Sequence, residues 1–94
     1  MIERREVKSC CAAKSVIFFL KKAVRKSQVP MFKEKGYNIS EFYEKAGIFY
    51  LNNGGLIVQG PFGGTSLTIQ CNAPDCVQKI NQFEINLKEI LEKS

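Results

Sequence analysis

The sequence predicts an α+β domain in the order α-α-β-β-β-α: a long N-terminal helix, a short helix, a three-stranded antiparallel meander and a long C-terminal helix, with the helices packed on one sheet face. Three observations predict it. Apolar residues recur at three- and four-residue steps near both ends, two runs of β-branched and aromatic residues flank an Asn-Asn-Gly-Gly turn in the middle, and Gly, Pro and Asn punctuate the joins. A chain of 94 residues supports one hydrophobic core, so residues 1–94 are read as a single domain.

The first element, from about Glu6 to Lys26, has Cys10, Ala13, Ile17, Leu20 and Val24 at helical spacing, flanked by Ala12, Val16, Phe19 and Ala23. Pro30 ends it, because proline disfavours helical geometry in the residue before it, and residues 28–37 read as a connection. Asn38 with Glu41 has the spacing of a capping box, and Gly47 suits a left-handed stop, which predicts a short helix over NISEFYEKAG.

The stretch GIFYLNNGGLIVQG then reads as a hairpin, since the Asn-Gly step tolerates the positive φ of a tight turn. A Gly-rich turn leads into TSLTIQC, where Leu67, Ile69 and Cys71 alternate with Ser66, Thr68 and Gln70 as in a strand with one buried face. Asn72 can cap the final helix, Pro74 and Asp75 suit its first turn, and Cys76, Val77, Ile80, Phe83, Leu87, Ile90 and Leu91 form its stripe. Only Ile85 points away. The first two strands are apolar on both faces, through Ile48, Phe49, Tyr50 and Leu51 and then Leu56, Ile57 and Val58. One face meets the helices. The other needs a cover, either the short helix with Phe42 and Tyr43 or a second copy of the chain.

Charge is unevenly distributed. Residues 1–37 hold ten Lys/Arg against three Asp/Glu, a net of +7, while 38–94 hold four against six, a net of −2. Laid on the N-terminal helix, Arg4, Lys8, Lys14, Lys21, Lys22, Arg25 and Lys26 fall on one side, with Phe18 among them. A single-sign face attracts polyanions and can neutralise several phosphates, and Phe18 there could stack on a base. The leading expectation is therefore a small basic binding protein that contacts nucleic acid through this face. The alternative is a protein-interaction module, such as a small regulator, inhibitor or assembly subunit, that binds an acidic partner protein and could be a homodimer.

Other chemistries find less support. The chain has no histidine, which removes the commonest general base and the commonest metal ligand. No catalytic residue, metal or cofactor is assigned, and a non-enzymatic role is expected. GPFGGTS lacks both the Lys-Ser/Thr ending and the following helix that a phosphate-binding loop requires. The N-terminal apolar run is interrupted by Lys14 and falls short of the roughly 18 residues of a membrane span, so the expected location is intracellular and cytoplasmic, with peripheral membrane contact disfavoured. In that setting Cys10, Cys11, Cys71 and Cys76 are expected as thiols.

Overall fold

The computed structural model describes residues 2–7 and 14–93. Its elements in chain order are β1 (Glu3–Val7), β2 (Lys14–Phe19), a 3-10 turn (Lys26–Gln28), α1 (Val29–Glu34), β3 (Asn38–Ile39), α2 (Glu41–Lys45), β4 (Ile48–Asn53), β5 (Leu56–Pro61), β6 (Ser66–Cys71) and α3 (Cys76–Glu92). All six strands join one antiparallel sheet in the order β1-β2-β6-β5-β4-β3. The protein is a small α+β domain, but not the one expected: the N-terminal helix is replaced by strands, and the three central strands are half of a sheet of six.

The reason lies in residues 14–19. In the run KSVIFF, Val16 and Phe18 are buried and Ile17 and Phe19 face the other way, so the apolar residues satisfy a period of two as well as a helical one. β-branched and aromatic residues favour the strand, and β6 offers it a partner, with Val16 opposite Ile69 and Phe18 opposite Leu67. Tertiary pairing decides an ambiguous pattern. Upstream, β1 pairs along β2 from Glu3 opposite Phe19 to Val7 opposite Ser15.

Two further boundaries differ from expectation. Pro30 does not end a helix; it occupies the first turn of α1, where its missing N–H costs nothing and its fixed φ is already helical. Asn38 does not cap; it sits in β3 opposite Asn52, and the Ser40 hydroxyl accepts the Tyr43 N–H at the start of α2 instead. Asp75, not Asn72, is the N-cap residue of α3.

One sheet face carries the core. Val16, Phe18, Leu67, Ile69, Leu56, Val58, Phe49 and Leu51 point from it against Ile80, Phe83, Leu87 and Ile90 of α3 and Phe32 of α1. Phe83 is the hub, with ring centroids 6.1 Å from Phe18, 6.4 Å from Phe32 and 5.7 Å from Tyr37. Ile85 points away from the core as expected, and Val77, expected on the stripe, is also exposed.

Cys71 at the end of β6 and Cys76 at the start of α3 are joined by a disulfide, which corrects the expectation of thiols for this pair. Cys10 and Cys11 lie outside the described residues. The Cys76 sulfur also accepts the Ala73 N–H at 3.3 Å.

Candidate functional site

The loop after β2 gathers the cations. Leu20 and Val24 are buried, and their backbones are tied to the β5–β6 turn: the Leu20 N–H donates to the Thr65 carbonyl at 2.7 Å, and the Gly63 N–H donates to the Val24 carbonyl at 3.0 Å. Gly63 has φ +83, a left-handed backbone that side chains disfavour, which brings its N–H to that carbonyl. Downstream, the buried Gln28 accepts the Arg25 N–H through Oε1 at 2.9 Å and closes the 3-10 turn. Between these anchors Lys21, Lys22, Arg25 and Lys26 extend into solvent from a loop whose backbone is held at both ends.

None of the four has a carboxylate partner among the described residues, whose ion pairs are Arg4–Glu84, Lys35–Glu89, Lys88–Glu84 and Lys93–Glu89. Lys26 Nζ lies 6.0 Å from the Phe62 ring centroid, a contact that orients its stem while leaving its charge free. Lys21, Lys22, Ala23 and Arg25 line an open hollow of about 320 Å³. A second hollow, of about 140 Å³, lies beside it, where Lys21 and Lys22 meet Lys88 and Glu92 over Ile2 and Leu91. Lys88 of α3 thus joins the corner, a residue the sequence pattern did not single out because it lies 66 positions from Lys22.

The remaining expected site residues go elsewhere. Arg4 donates through Nε to Glu84 at 2.8 Å and through Nη2 to Asn81 at 2.9 Å, and its guanidinium covers the Phe18 ring at 5.1 Å, so it fastens β1 to α3. Phe18 has no accessible surface and is core, not a binding residue. Lys14 opens β2 opposite Cys71, at the far end of the strand from Lys21. Lys8 lies outside the described residues.

The opposite sheet face has a different chemistry. On β2, β6, β5 and β4, Ser15, Ile17, Phe19, Ser66, Thr68, Gln70, Ile57, Gln59, Ile48, Tyr50 and Asn52 alternate with the core residues and none is charged, whereas β1 brings Glu3 and Arg5 to the same face opposite Phe19 and Ile17. Tyr43 of α2 stacks on Tyr50 at 4.6 Å, and Phe42 sits edge-on to Tyr43 at 5.4 Å, so α2 covers only the β4 side of this face. Phe19 and Ile48 remain 40% and 36% exposed. The alternation in KSVIFF was the signal for Phe19, hidden by the helical reading of the same residues.

Among the described residues no group of three or more His, Cys, Asp or Glu side chains could hold a metal ion, and no helix is long and apolar enough to cross a membrane. Compared with protein-family models, curated proteins and solved structures, the chain matches none.

Proposed function

We propose that the protein is a small binding protein that engages nucleic acid by contacting phosphates with Lys21, Lys22, Arg25 and Lys26. One observation carries the reading: four exposed cations leave a single anchored loop with no acidic partner among the described residues. Unpaired cations held this close together repel each other, and a string of phosphates relieves the repulsion while releasing its condensed counterions. The loop's tied backbone limits the ordering cost of binding.

Fluorescence anisotropy with labelled single-stranded and duplex oligonucleotides tests it. Four phosphate contacts give a salt slope of about −3.6 on duplex DNA, a loss of roughly 150-fold between 50 and 200 mM salt. Lys21→Glu with Lys22→Glu should abolish binding, while Lys33→Glu on α1 should leave most of it. Binding that ignores salt, or that survives the double reversal, refutes the reading. A second reading, a module that docks on protein, is favoured by the open sheet face, whose positions on β2, β6, β5 and β4 carry no charge.

A further inference from the structure

We infer that the hollow where Lys21 and Lys22 meet Lys88 and Glu92 seats one unpaired base of a single-stranded nucleic acid, which rests on the phosphate contacts proposed above and adds to them the kind of nucleic acid bound.

Both ends of the chain build this hollow. Glu3 is the register partner of Phe19, which sets Ile2 at the strand end from which the cationic loop leaves. On α3, Leu91 and Glu92 lie three and four residues beyond Lys88, so all three share one helix face. Together they enclose an open space of about 140 Å³, with Ile2 and Leu91 as its apolar floor and charged side chains around its rim. Ile2 is half-buried and packs on the core, and Leu91 is buried in it, so the floor is fixed before any ligand arrives.

Size and chemistry select the occupant. An apolar space of about 150 Å³ admits a benzene-sized ring, which matches the single ring of a pyrimidine. The rim offers three ammonium groups and one carboxylate. An alkyl carboxylate or an acidic side chain would use the lysines but meet Glu92 as a like charge. A base uses both signs, because its ring carbonyl accepts from lysine and the exocyclic amine of cytosine donates to a carboxylate. Lys88 is available for this: its Nζ lies 3.9 Å from Glu84 Oε2, a loose pair, while Arg4 holds Oε1 of the same carboxylate at 2.8 Å. Lys21 and Lys22 also line the neighbouring hollow with Arg25, so the phosphate of the seated nucleotide leads on to the rest of the loop.

A duplex gains nothing from this floor. Its bases are paired and stacked, and one reaches the hollow only by flipping out and losing both interactions. The lysines alone would serve any polyanion; the apolar floor beside them serves a strand whose bases are already free.

Fluorescence anisotropy of the full chain with labelled oligo-dC, oligo-dT and a duplex tests the inference. Oligo-dC should bind more tightly than oligo-dT, since thymine has no exocyclic amine. Ile2→Ser should weaken oligo-dC binding about fivefold, the low end of what one seated base contributes, and leave duplex binding unchanged. Its salt slope should match that of the wild type, because seating a base releases no counterions. Glu92→Ala should erase the preference for oligo-dC over oligo-dT; Glu92 is exposed, so this readout survives even if Ile2→Ser costs stability in a urea melt. Equal affinity for oligo-dC and oligo-dT, or an Ile2→Ser effect that is absent or the same on strand and duplex, overturns the inference and leaves the phosphate contacts standing. Binding that ignores salt or survives Lys21→Glu with Lys22→Glu overturns both.

Discussion

Replacing Phe18 with alanine separates a core role from a binding role. The ring has no accessible surface, stacks on Phe83 at 6.1 Å and lies beneath the Arg4 guanidinium at 5.1 Å. A buried Phe→Ala change costs about 3–5 kcal/mol because the surrounding core relaxes only partly into the space. A chain of this length has a total stability of roughly 5–14 kcal/mol, so the variant retains at best a reduced margin. With a urea slope of about 1.5 kcal/mol per M, the midpoint should fall by about 2–3 M. Circular dichroism against urea measures it, and Phe18→Leu should lose markedly less. A midpoint lowered by less than about 0.5 M, with oligonucleotide binding lost in a folded protein, would refute the buried placement and restore Phe18 to a binding face.

Three other outcomes are expected. A Cβ at Gly60 would lie 2.7 Å from the Ser66 carbonyl oxygen and 2.9 Å from Leu67 Cδ2, so Gly60→Ala should destabilise by about 1–3 kcal/mol in urea, although alanine restricts the unfolded chain more than glycine does. Reduction of Cys71–Cys76 opens a six-residue loop and should cost about 2 kcal/mol, read as a fall in Tm and as faster amide exchange in the first turn of α3; an unchanged Tm in reductant would contradict it. Glu89 is held below the ordinary glutamate pKa, first by its hydrogen bond from Lys35 and then by the charges of Lys35 and Lys93. The folded chain therefore takes up this proton at lower pH than the unfolded chain does. The contribution is present above the ordinary glutamate pKa and is lost as pH falls through the folded value. Lys35→Met should raise the Glu89 carboxyl in an NMR titration and flatten the acid limb of stability.

Particular residues decide how far the fold can be read from the sequence. The β4–β5 hairpin was legible because the turn at Gly54 and Gly55 needs positive φ, a local requirement written in local residues. α3 was legible because seventeen residues are long enough for a helical stripe to stand apart from chance. Residues 14–19 were not, since their apolar run fits both periods and the choice is made by β6, some fifty residues downstream. The same ambiguity misplaced the basic face: with β1 and β2 formed, Arg4 pairs with Glu84 of α3 and Phe18 enters the core, while Lys21, Lys22, Arg25 and Lys26 stay together because they share one loop. Cys71 and Cys76 were five apart in sequence, but only the turn between β6 and α3 shows that their sulfurs meet.

The strand order also sets a timetable for making the protein. β2 lies between β1 and β6, yet β6 comes last in sequence among the strands of the described residues, and Phe19 is 47 positions ahead of its register partner Ser66. At ribosomal rates that interval is roughly 2–10 s. For those seconds β2 carries Val16, Ile17, Phe18 and Phe19 with one edge unpaired and α3 not yet there to cover them, since α3 comes later still. Lys21 and Lys22, which follow directly after β2, give the waiting strands a positive charge that keeps nascent copies apart, so the cluster proposed above as a phosphate contact has a second use in guarding an apolar strand during synthesis.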